Sequence, residues 1–195
     1  ETGTVDGITD QWTTVGLDHT FVNPVVIAGP PTRNDPQPGV VEIRNIQSNQ
    51  FEIRVANWER RGRPRSGEVL DYFVVEAGRH SLPDGQWLEA GVEYDVDHNF
   101  RFIPFEFSTL RPMVLTQALA GARNNSATAR VGKIGQDGFQ VVMQEAEASL
   151  GMSVPKTLQW VALGIANSQT SHFKFRSGAT DISSIPATVN FGMNM

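Results

Sequence analysis

Cysteine is absent from the 195-residue chain. That excludes disulfides, thiolate metal sites and cysteine nucleophiles. It leaves the compartment open, because the disulfide density of secreted domains belongs to domains too small to build a core. No apolar run approaches the roughly 18 residues that cross a bilayer as a helix, so membrane insertion is not expected. Positive charge is in the minority: 16 Lys and Arg stand against 21 Asp and Glu, for a net charge of −5. A protein that relies on non-specific phosphate contact is usually basic, so nucleic acid is not expected as a partner. Helical patterning is almost missing as well. Only Gln144–Ser149 tolerates a helix, and it lines up with Ala56–Glu59 as a strand end and loop.

The signatures of catalysis are also lacking. His19, His80, His98 and His172 are scattered, with no HExxH pair to hold a metal. No Gly-x-Ser-x-Gly elbow occurs. Glu145 and Glu147 would share a strand face, and paired carboxylates can hydrolyse glycosides, but such pairs are usually a solvated edge. Asp95-Val96-Asp97 offers oxygen ligands to Ca²⁺ in too small a number for a loop site. The chain is therefore read as a non-enzyme that needs no cofactor or metal.

Apolar material is plentiful by contrast. Hydrophobic residues make up 39%, with 11 Phe and 4 Trp, enough for real cores and too much for global disorder. Strand signals follow one another. Val40–Arg44, Phe51–Val55 and Phe139–Met143 alternate apolar and polar, the period of a half-buried strand. Val25–Ala28 and Trp160–Leu163 are continuous apolar runs, which suits strands buried on both faces. Turn residues fall between them at Gly29-Pro30-Pro31, Asn34-Asp35-Pro36, Gln37-Pro38-Gly39, Pro83-Asp84-Gly85 and Gln136-Asp137-Gly138. Short strands with tight turns predict an all-β sandwich.

The chain also repeats itself. Pro24 and Pro112, Phe51 and Phe139, and Tyr72 and Trp160 are each 88 residues apart, in the same order. A common offset at three anchors predicts two tandem antiparallel β-sandwich domains. The first spans residues 4–92, in which Gly78–His98 begins as hairpin and linker; the second spans 93–168. Residues 169–195 read either as the first strand of a third copy or as a strand closing the second sheet. Trp12 precedes Phe21 by nine residues as Ile182 precedes Phe191. Glu1-Thr2-Gly3 is set aside from the fold.

This pattern resembles the H-type lectin domain, the agglutinin module of invertebrates and slime moulds. The first copy carries Phe21, Pro24–Ile27, Arg44, Phe51, Trp58 seven residues later, and Tyr72. The second carries Phe107, Pro112–Leu115, Arg130, Gly138-Phe139 and Trp160. The resemblance covers residues 12–77 and 99–164. It implies a six-stranded sandwich that trimerises, with galactose or N-acetylgalactosamine held between protomers. The matching Arg44 and Trp58 would line that cleft, while Glu59 stands where the family has His. In the second copy Arg130 matches, but Ala146 replaces the Trp and Glu147 the His.

The residues support a glycan site on chemical grounds too. Trp58 offers an apolar plate for a sugar's C–H face. Arg44, Arg54, Asn57 and Glu59 offer planar polar groups for its hydroxyls. Arg60, Arg61, Arg63 and Arg65 form a cationic loop suited to a sulfate or a carboxylated sugar, or simply to solvation. The expected function is an extracellular or cell-surface carbohydrate-binding tandem module for galactose-type or anionic glycans. The alternative is a structural or adhesive repeat of a large surface protein that self-associates into trimers or with further repeats, without a live sugar site.

Overall fold

A computed structural model describes residues 1–58, 63–82, 86–106, 108–109, 112–121, 126–145 and 154–164. The expectation about residues 169–195 lies outside them. The described residues form thirteen strands and no helix. They are β1 (Thr2–Ile8), β2 (Thr13–Gly16), β3 (Pro24–Ala28), β4 (Gly39–Gln47), β5 (Gln50–Asn57), β6 (Glu68–Glu76), β7 (Gly78–Ser81), β8 (Trp87–Val96), β9 (Arg101–Pro104), β10 (Met113–Ala118), β11 (Ala127–Gly135), β12 (Gly138–Glu145) and β13 (Lys156–Gly164).

The first repeat packs the antiparallel sheet β1-β6-β3 on the sheet β2-β5-β4. Between them lie Ile8, Val26, Ile43, Phe51, Ile53, Val55, Leu70 and Val74. The second repeat packs β10-β13-β8-β7 on β11-β12-β9. Phe105, Phe139 and Trp160 meet edge-on or tilted at its centre, with Phe139 and Trp160 centroids 5.5 Å apart. The 88-residue period holds strand by strand: β9, β11, β12 and β13 start 88 residues after β2, β4, β5 and β6. Repetition survives because alternate residues of each strand fill one core, and that pattern tolerates little change.

Two expectations are corrected by this register. Gly78–His98 is no linker beyond its opening hairpin: β8 pairs along its length with β13 and belongs, with β7, to the second sandwich, ahead of the boundary expected at 93. Glu1-Thr2-Gly3 belongs to the fold, because it occupies the places of Glu89-Ala90-Gly91. Gly3 lies opposite Tyr72 and Gly91 opposite Trp160. Glu1 accepts the backbone N–H groups of Asp18 and His19, as Glu89 accepts that of Glu106.

The runs expected to be buried on both faces are so because the two repeats stack. Val26 points into the first core, while Val25 and Ile27 face the second repeat, where Ala90, Val161, Leu88, Val92 and Leu115 meet them. On β13, Leu158, Trp160 and Ala162 point inward and Val161 points at the first repeat. Val25, Val26, Leu158 and Val161, all fully buried, each contribute about 1.5–3 kcal/mol.

The glycine beneath each aromatic is a steric requirement. A Cβ on Gly91 would meet the Trp160 indole at 2.7 Å, whereas one on Gly16 would meet nothing within 4 Å. Gly91→Ala is expected to destabilise the chain by about 1–3 kcal/mol through overpacking. Gly16→Ala should stay within about 0.5 kcal/mol. Urea denaturation of the two variants checks the contrast; equal effects would contradict the assigned packing.

Candidate functional site

Alternation on β4 and β5 sends Ile43, Phe51, Ile53 and Val55 inward and Glu42, Arg44, Glu52 and Arg54 outward. The antiparallel register places Arg44 opposite Glu52 and Glu42 opposite Arg54. Arg44 pairs with Glu52 through Nε, and Arg54 with Glu42 at 2.7 Å. Both guanidinium groups also lie against the Trp12 ring, 4.0 Å and 4.4 Å from its centroid. The two arginines expected to meet a sugar therefore share one face, as anticipated, but each is already held by a carboxylate and an indole. Trp12 was not anticipated as part of this group. Its signal was the aromatic at the head of each repeat, since Phe100 stands 88 residues later.

Trp58 does not join them. It is half-buried past the end of β5, with its backbone N–H donating to the Pro38 carbonyl at 3.1 Å. Asn57 instead belongs to a polar knot at that end of the sandwich. Its Nδ2 donates to the Arg63 carbonyl, and its Oδ1 accepts from Arg65 Nη1 at 3.0 Å. The Arg65 side chain is only 2% exposed and also reaches the Gln37 carbonyl and Glu68. Arg63 pairs with Asp35 at 3.3 Å. Arg65 is thus an internal strut and no part of an anion-binding surface, which corrects that expectation for this residue. Glu59, Arg60 and Arg61 lie outside the described residues.

The knot is held by its carboxylates. The backbone N–H groups of Gln37 and Ser66, with Arg63 beside them, hold the Asp35 carboxyl well below the usual range, at about 2. Burial pushes Glu68 upward, yet the Thr32 hydroxyl, the N–H groups of Asp35 and Asn34 and the Arg65 charge outweigh it and lower its pKa.

Arg130 was expected to be the second copy's Arg44. The hairpin register shows otherwise: Gly135↔Gly138 stands where Gln47↔Gln50 stands, so Arg130 takes the place of Glu42, and Gly132 that of Arg44. Among the described residues no cluster of three or more His, Asp or Glu side chains could hold a metal ion.

A further feature lies between the repeats. Gln159 on β13 bridges the open edge of β3: its Oε1 accepts Val26 N–H at 2.8 Å and its Nε2 donates to the Pro24 carbonyl at 3.0 Å. Gln117 Nε2 reaches the Val41 carbonyl on the open edge of β4, and Ala120 N–H donates to the Ile43 carbonyl. Neither glutamine was anticipated. The only sign was a polar residue inside an apolar run, Leu158-Gln159-Trp160-Val161. Beside this contact an open groove of about 560 Å³ is lined by Ile27, Ala28, Tyr72, Phe73, Leu115 and Thr116, among others.

Two expected outcomes separate structural from ligand-binding arginines. Arg54→Ala leaves the buried Glu42 without its main partner and should cost about 3 kcal/mol. Arg44→Ala removes a half-exposed pair and should cost about 1 kcal/mol or less. Chemical denaturation checks both; near-neutral effects at both positions would favour arginines kept for a ligand. In acid, Asp35 works in one direction. Its carboxyl is depressed in the folded state, so its contribution is complete above the ordinary value near 3.8 and is lost as pH falls toward 2. Asp35→Asn should flatten the fall in stability between those limits in urea titrations; an unchanged slope would contradict the assignment.

No family model matches the chain, and no solved structure matches it. Among curated proteins it is 28% identical over 200 residues to "Halomucin" of Haloquadratum walsbyi. The match takes in 96% of this chain and 2% of that protein, so the chain is similar to one small segment of a very long polypeptide.

Proposed function

We propose that this chain is a structural repeat pair of a large surface protein outside the cell, built to stack on its neighbours. The observation that carries the reading is the contact between repeats. Gln159 and Gln117 satisfy two sheet edges that would otherwise template uncontrolled pairing. Val25, Ile27, Ala90 and Val161 bury a continuous apolar seam beside them. Likeness to 2% of a protein named as a mucin is what a repeat in a long surface polymer would give. The commitment of Arg44 and Arg54 to internal pairs supports this reading over a sugar site at those residues. The open groove continues the seam and suits a further repeat, so self-association belongs to the same proposal.

A stacked pair is expected to unfold as one unit, because nearest-neighbour interfaces couple repeats. Calorimetry of the intact chain should give one cooperative transition. Val161→Asp, which forces an unpaired carboxylate into the seam, should split it into two. Two independent transitions in the unaltered chain would overturn the stacking. Antibody labelling of intact cells tests the location: the epitope should be reached without permeabilisation.

A further inference from the structure

The outward faces of the two repeats differ at one place. In the first repeat Trp12 is covered by Arg44 and Arg54, and both arginines by carboxylates. In the second repeat the same positions hold Phe100, Gly132 and Val142, with Arg130 and Gln140 in place of Glu42 and Glu52. Among the described residues no guanidinium lies over Phe100. It is 64% exposed, and a Cβ on Gly132 would touch its ring at 3.0 Å, so the ring lies low over the glycine. Phe102, 55% exposed, pairs across β9–β12 with Gln140 and extends over Gly138. Arg130 is exposed two residues from Gly132 on the same face, and among the described residues no carboxylate pairs with it.

We infer that this outer face of the second repeat binds an acidic polysaccharide, with Phe100 and Phe102 as stacking plates and Arg130 as the partner of a uronate carboxylate. Two exposed aromatic rings, each lying against a glycine, offer apolar surface of the kind that the C–H face of a pyranose packs on. Gln140, opposite Phe102, presents an amide that can both donate to and accept from hydroxyls. Arg130 is a planar donor with no carboxylate partner among the described residues, on a face whose counterpart in the first repeat is charge-neutralised. A neutral glycan would leave that guanidinium unused; an apolar protein surface would have to desolvate it without recompense. The site goes beyond the stacking role and is independent of it.

The test is affinity electrophoresis of the intact chain through polygalacturonate, with dextran as the neutral comparator. Retardation by polygalacturonate alone is expected, weakening as salt is raised. Phe100→Leu with Phe102→Leu keeps apolar area but removes the rings, and should weaken binding at least about tenfold, on the scale of one to two stacking contacts. Arg130→Gln, an exposed change away from the core, should remove most of the salt dependence and keeps the test decisive if the leucine pair disturbs folding. Arg63→Gln, in the first repeat, should leave binding unchanged. The inference is overturned by equal migration in both polymers, by binding that survives the leucine pair, by loss with Arg63→Gln, or by self-association through this face in place of glycan binding.

Discussion

A sheet edge leaves a row of N–H and C=O groups without partners, and a protein must cover it, blunt it or join it to another chain. In the first repeat β3 and β4 are both edges. One side chain from the second repeat, Gln159, presents its carbonyl to Val26 N–H and its amide to the Pro24 carbonyl. An amide carries its acceptor and its donors on separate atoms, so it can answer both groups at once. Once Gln159 is seated, the rest of the stack follows: Val161 falls between Val25 and Ala90, and the end of β10 comes alongside β4 in a parallel bridge between Leu119 and Ile43. Lys156, whose pKa burial lowers, is brought within electrostatic reach of Glu42 across the same contact.

The repeats have kept their interiors and changed their surfaces. Phe51 and Phe139, Tyr72 and Trp160, Gly3 and Gly91 hold equivalent core positions, because each aromatic needs its glycine. Outside, a closed network of indole, guanidinium and carboxylate in one copy becomes bare phenylalanine over glycine in the other. At the seam, Gln159 of the second repeat replaces Asp71 of the first. A carboxylate could accept an amide hydrogen there but could not also donate to a carbonyl. The divergence therefore gives the two copies distinct places in the stack.

Much of the fold could be read from the sequence, because periodicity reports on core burial. The all-β class, the 88-residue offset and the double burial of β3 and β13 all follow from which positions are apolar. The boundary near residue 93 did not, since β8 follows directly on the hairpin that precedes it and sets Glu89, Gly91 and Glu93 among its apolar residues. Nor did the site. Identity suggested Arg44 with Arg130, while register pairs Arg44 with Gly132; a bulge between Val131 and Ile134 matches one between Arg44 and Gln47, and hairpin ends rather than residue types fix that alignment. What Arg44 and Arg65 do depends on Glu52, Trp12, Glu68 and Asn57, brought together only by the folded backbone.

The edge bridge is most directly tested by hydrogen exchange at a single amide. Val26 N–H lies on an outer strand and its acceptor belongs to the other repeat. If stacking governs the molecule, this amide exchanges as slowly as those of the central strands β5 and β6, and Gln159→Ala releases it selectively. Fast exchange in the unaltered chain, at the rate of a solvent-facing edge, would contradict the account.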